Sequence, residues 1–328
     1  FKNLQDKLNG IVYNKSACFE FYRNNCIVWM NHISDNTPQH QHHELVDNIL
    51  TNVLHYITIK WNSEKIIFDE PLFNLCMKIL NVGENLCLTS SIVIKAKTMV
   101  LISTYFEILE SGVKLRILSN LPEFVKAVVP LYISVATLDD YDSYVYQLEI
   151  LRILVPYKQV IFEAVDDPIL QKFVYYFLDT YHSLYKGFIK NVLTFYKIEN
   201  FEPLEEEEAQ LSYDNIKQIL KWYQKEVFVM DQYMAIQDFQ TISLNVGNRD
   251  KLALVLGFKL QTFVGKDRNR LEIHESEAVF KPIDHLKQIF DVVYSLCEKS
   301  AFQKAIAQEE RFLKTEYLEK MVTILIKN

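Results

Sequence analysis

The sequence predicts an all-α protein, an irregular armadillo- or HEAT-like solenoid of long antiparallel helices, and three observations predict it. Its 328 residues include only 7 Gly and 8 Pro, well below the average of about 12% for the pair. The turn-rich punctuation that sandwiches, barrels and βαβ repeats need is therefore missing. Apolar residues recur three and four apart in stretch after stretch, the one-faced period of a helix. These stretches follow one another through short polar turns, without a repeat of fixed length, as in an irregular helical stack. One continuous core over 1–328 is expected, with a soft division near 200–210.

Composition narrows the function classes. Hydrophobic residues make up 49%, with 21 Phe and 19 Tyr, so apolar material for a core is plentiful. A net charge of −7 argues against nucleic acid as the partner, which would require a basic stripe. No uncharged apolar run approaches the roughly 18 residues of a membrane span. The start, Phe1-Lys2-Asn3-Leu4, shows no signal-peptide pattern and no initiator Met, as expected of a piece of a longer protein. Five cysteines, Cys18, Cys26, Cys76, Cys87 and Cys297, are odd in number and widely spaced. They read as buried free thiols of a reducing compartment.

In chain order, helical stripes run through Cys26, Val28, Trp29 and Ile33, then Leu45, Ile49, Val53, Leu54 and Ile57, broken by the turn at Ser34–Pro38. Asp69-Glu70-Pro71 places acids and proline in the first turn of a helix carrying Leu72, Leu75, Cys76 and Ile79. Another begins at Ser90-Ser91 and runs toward Leu109, with Lys95 and Lys97 on a solvated face. Leu121-Pro122-Glu123 starts a helix with Val128, Val129, Tyr132 and Val135 inward, which Pro130 should kink or split. After the acidic turn Asp139–Asp142, a helix follows through Val145, Leu148, Leu151 and Val155.

Asp167 caps and Pro168 opens a stripe from Ile169 to Tyr196, kept for over seven turns and roughly 40 Å at 1.5 Å per residue. Its wide arc calls for neighbours on two sides, and its polar face is not basic enough for a membrane surface. Glu205–Glu208 precede a helix with Leu211, Ile216, Ile219, Leu220, Tyr223, Val227, Met230 and Tyr233 inward. Four carboxylates there suit the helix dipole and stay solvated.

Asn245-Val246-Gly247-Asn248 turns the chain into its most informative stretch, 249–325. A helix with Leu252, Val255, Leu256, Leu260 and Phe263 inward ends at Gly265 as a left-handed cap. The charged loop from Lys266 to Lys281 holds no run able to bury itself. Pro282 begins a helix with Ile283, Leu286, Ile289, Phe290, Val293 and Leu296 inward. The segment 302–312 leads to a last helix with Leu318, Met321, Val322 and Leu325 inward.

No catalytic, cofactor or metal residues are predicted. His40, His42 and His43, with His32 and His55 nearby, lack the cysteine pairs of a structural zinc site. Cys18 and Cys26 are wrongly spaced for a redox motif, and none of the five cysteines has a base and a cationic setting beside it. Phosphate loops, serine elbows and kinase signatures are absent from the sequence.

Three blocks then resemble a known family. They are Arg249-Asp250-Lys251-Leu252-Ala253 with Phe263-Val264-Gly265-Lys266 and Leu271, Phe280-Lys281-Pro282, and Phe302 with Ala305-Ile306 and Arg311 leading into 316–325. The helix–acidic turn–helix of 121–154 is a further strong block, and Lys95-Ala96-Lys97 a weaker match. Together they resemble the C-terminal part of the helical core of the ubiquitin conjugation (chain-elongation) factors, the U-box ubiquitin ligases of the ubiquitin-fusion-degradation type. Lys266 stands where the family has Pro, and Glu310-Arg311-Phe312 where it has Gly-Arg-Ser, as in a divergent member.

The resemblance implies a core that positions a U-box, which would begin after Asn328, and binds partners while polyubiquitin chains are extended on substrates for proteasomal degradation. The implied partners are a ubiquitin-conjugating enzyme (through the U-box), ubiquitylated substrates, the AAA segregase valosin-containing protein and shuttle proteins with ubiquitin-like domains. The implied location is cytoplasmic and nuclear. Transfer there belongs to the U-box, without a covalent step, so this chain should be inert in transfer. The alternative is a non-enzymatic helical-repeat adaptor that shares only the periodicity.

Overall fold

Apolar residues three and four apart close helices wherever the structure can be followed. The computed structural model describes residues 70–80, 92–108, 120–138, 141–205, 212–273, 280–308 and 314–327, together with residues 24, 28 and 208. The stripes expected within 1–60, the histidines at 32–55, Cys18, Cys26, Cys87 and Arg311 lie outside the described residues. Among the described residues no strand forms; one isolated antiparallel bridge joins Ile273 and Phe280. The protein is all-α. It packs as two compact units, Phe1–Val165 and Asp166–Asn328, and residues 200–210 fall inside the second.

The first unit contains α1 (Glu70–Ile79), α2 (Ile92–Ile108), α3 (Leu121–Ala136), α4 (Tyr141–Leu154) and α5 (Lys158–Ala164). Helix α2 packs against α1, α3 and α4, and α3 against α4 and α5. The Ser103 hydroxyl donates to Glu149 Oε2 at 2.6 Å and ties α2 to α4. Pro130 does not split its helix: α3 runs unbroken from Leu121 to Ala136. Proline forfeits one backbone bond, but Phe124, Val125, Val128 and Val129 before it and Leu131, Tyr132 and Val135 after it are all buried. That burial keeps both halves in one continuous helix. Val145, expected inward, is 37% exposed.

The second unit is built on α6 (Asp167–Glu199), 33 residues and about 50 Å long at 1.5 Å per residue. Asp166, not Asp167, stands at its N-cap without a side-chain bond, so Asp167 and Pro168 lie in the first turn. Phe173, Phe177, Tyr181, Tyr185 and Phe188 are wholly buried along it, and neighbouring rings stack edge-on or tilted with centroids 5.8–6.2 Å apart. Such pairs add to the area they bury. The helix ends where Phe201 takes a left-handed φ of 54°. There Glu202 N–H donates to Lys197 O at 2.9 Å and Phe201 N–H to Ile198 O at 3.4 Å, the paired bonds of a Schellman turn.

Then come α7 (Tyr213–Met234), α8 (Gln237–Ser243), α9 (Arg249–Val264), α10 (Pro282–Leu296), α11 (Ser300–Gln308) and α12 (Thr315–Lys327). Helix α6 carries α7, α8 and α9; helix α9 in turn packs on α10, α11 and α12. Ser212 caps α7, its hydroxyl accepting from Asn215 N–H at 3.2 Å. The five apolar residues expected inward on α9 are all buried.

Expectations also fail at the end of α9, in the loop after it and on α12. Gly265 has φ −74° and ψ −177°, extended rather than left-handed; glycine is needed because a Cβ there would lie 2.5 Å from Gln261 O. The loop after it does bury itself, through Leu271, Ile273 and Phe280. On α12 only Met321 is buried, with Val322 exposed and Leu318 and Leu325 half-buried.

Candidate functional site

Positions 252, 256, 259 and 263 of α9 share one arc, and three of them are Leu252, Leu256 and Phe263; the fourth is Lys259. The stripe therefore carries a lysine into the core, where it is 4% exposed. Asp231 of α7 meets it from a stripe position between Val227 and Met234.

The ammonium donates to Tyr181 Oη at 2.6 Å and to Asp231 Oδ1 at 3.2 Å, and the Tyr181 hydroxyl donates to the same carboxylate oxygen. The rings of Tyr181 and Tyr185 flank Nζ with centroids at 5.0 and 4.5 Å. The Tyr185 hydroxyl in turn lies 3.0 Å from His285 Nδ1 on α10. One connected polar cluster thus joins α6, α7, α9 and α10.

Burial sets its electrostatics. Desolvation lowers Lys259 from its ordinary value, against the pull of Asp231. Desolvation, then the Asp231 charge, raises Tyr181 and Tyr185 well above theirs. His285 falls to about 4, through desolvation first and the Lys259 charge second. Such a set can lock helices in one register. It is poorly placed for chemistry, because the amine is engaged and nearly shut off from solvent.

The cluster forms the floor of a groove walled by α7 and α10. A cleft of about 570 Å³ lies over Lys259, Asp231, Leu256 and Ile289. A second of about 380 Å³ adjoins it over Phe188, Phe280 and His285, and both clefts touch Phe228, Asp231 and Gln288. Phe228 stands on the rim, 63% exposed.

Sequence reasoning proposed no site residue and missed this groove. A charge sitting on an apolar stripe, at Lys259 and again at Asp231, was the available signal. Other residues weighed from the sequence are scattered. Ala96 is buried between the half-exposed Lys95 and Lys97. Cys76 is buried, while Cys297 is exposed rather than packed. Glu208, expected in solvent, is 6% exposed. It accepts from the Thr194 hydroxyl at 2.8 Å, Lys197 Nζ at 2.9 Å and Glu205 N–H at 3.1 Å. The Lys197 bond first, with the other two, holds its carboxyl at about 2 against the opposing effect of burial. Among the described residues no group of three or more His, Cys, Asp and Glu could hold a metal, and no helix is long and apolar enough to cross a membrane.

Fold and site define an all-α protein that offers a groove over a locked polar cluster. Residues 195–328, from the end of α6 through α12, match the family model described as the ubiquitin elongating factor core. The match agrees with the family that the sequence blocks resemble, and several of their residues, Leu252, Ala253, Phe263, Leu271, Phe280, Phe302 and Ala305, are buried. Those blocks therefore report packing. No curated protein matches the chain.

Proposed function

We propose that the chain is the helical scaffold core of a ubiquitin chain-elongation ligase. Its work is to hold partners and present a U-box while polyubiquitin chains grow on substrates bound for proteasomal degradation. The observation that carries this is the match of residues 195–328 to the ubiquitin elongating factor core, laid on a unit whose helices converge on α6 and α9. An armadillo-like stack suits such a role, because each helix pair is stabilised by its neighbours and leaves long faces for partners.

The partners in this proposal are a ubiquitin-conjugating enzyme, ubiquitylated substrates, the segregase valosin-containing protein and ubiquitin-like shuttle proteins, met in cytoplasm and nucleus. Transfer lies with the U-box, and the core contributes geometry. The test is a reconstituted reaction containing activating enzyme, conjugating enzyme, ubiquitin and a mono-ubiquitylated substrate, with the parent protein added. Growth of chains on that substrate is expected. If the parent protein binds partners without lengthening chains, the reading fails in favour of a helical-repeat adaptor.

A further inference from the structure

At the end of α6, Phe201 is in a setting that does not suit a phenylalanine. The residue is 96% exposed, so it contributes nothing to the core. Its backbone holds the left-handed φ of 54°, where a Cβ is unfavourable and glycine is the usual residue. Folding alone therefore selects against phenylalanine here on both counts.

The surrounding segment is nevertheless firmly held. The Schellman bonds fix the chain before and through Phe201. On the far side, buried Glu208 grips Glu205 N–H, Thr194 and Lys197. Exposed aromatics on a preordered backbone lose little freedom on binding and dominate the energetics of protein interfaces. The chain on either side of Phe201 supplies a collar of Glu199 and Glu205, both exposed, and Glu202. Lys197 is taken up by Glu208, and Arg270 lies 3.6 Å from Glu202. The collar is acidic, which favours a basic partner surface and repels anionic lipid.

We infer that Phe201 is a docking anchor: a fixed aromatic knob in an acidic collar that enters an apolar pocket rimmed by Lys and Arg on a partner protein. The inference is independent of ubiquitin transfer.

The probe is the photo-crosslinker p-benzoylphenylalanine, placed at 201 in the full-length parent protein in its own cells. The same group at Tyr294, also strongly exposed at 70%, is the control. Capture does not decide the matter alone. The captured protein is purified and its affinity measured for the parent protein and for Phe201→Gly.

Support is a crosslinked peptide bearing Lys or Arg beside apolar residues, with affinity at least about tenfold weaker in Phe201→Gly. Affinity should also weaken as salt rises from about 0.05 to 0.3 M, with the variant's Tm unchanged or higher. The inference is overturned by no adduct at 201 above the control, by an affinity indifferent to Phe201→Gly, or by a fall in Tm, which would make the ring a packing residue.

Discussion

Glu208 and His285 are carboxyl and imidazole groups whose protonation opposes folding, in different pH windows. The folded state holds Glu208 near 2, below the ordinary carboxyl value of 4.5. Its stabilisation is complete above about 4.5 and is lost as pH falls from there toward 2. Glu208→Gln should therefore lower stability at neutral pH by roughly 2–3 kcal/mol, read by urea titration, and flatten the acid limb. His285 keeps its proton off down to about 4 in the fold, whereas the ordinary imidazole value is 6.5. The unfolded chain takes that proton first, so stability falls as pH drops from about 6.5 to 4. His285→Gln should remove that slope, and a slope that persists would exclude the imidazole as its source. At Phe201 the sign is opposite: Phe201→Gly should raise stability by roughly 0.5–1 kcal/mol by releasing the left-handed strain.

Among the elements, α9 shows both the reach and the limit of sequence patterning. Its apolar stripe was legible because a period of 3.6 needs only residue types. Lys259 was not, since its role depends on Asp231 and Tyr181, 28 and 78 residues away in the chain. Pro130 does not bring the split that the loss of one hydrogen bond suggests, because seven buried neighbours hold the helix continuous. The loop after Gly265 misled because Leu271 and Ile273 stand singly among polar and charged residues and Phe280 ends a run of only three apolar residues, yet all three are buried.

Lys259→Met should cost about 3–5 kcal/mol by stranding a buried carboxylate, and Lys259→Met with Asp231→Leu should recover much of it. Chemical denaturation of these two variants and of Asp231→Leu alone measures the coupling. If the double variant is no better than the single, the pair does not act as a unit. Gly265→Ala should destabilise by roughly 1–3 kcal/mol despite its ordinary φ, because the added methyl meets a backbone oxygen. A glycine needed for space and one needed for positive φ, as at Gly247 with φ 96°, look alike in a sequence.

For the whole molecule, helix was the readable part: few glycines, few prolines and long stripes left little else to form. The groove was unreadable, because its walls α7 and α10 are separated by two helices and a loop in the chain. Within the second unit, α6 is the common support of α7, α8 and α9. Phe177→Ala, at the centre of its ring ladder, should cost about 3–5 kcal/mol, seen as a lowered Tm.

A single rod beneath three neighbours also governs how that unit comes apart. Its outer helices have no second backbone to retreat onto once the rod melts, so they should be released together with it. Amide exchange over 173–195 should then be the slowest in the unit and reach the rate of global opening, with one transition in place of a staircase.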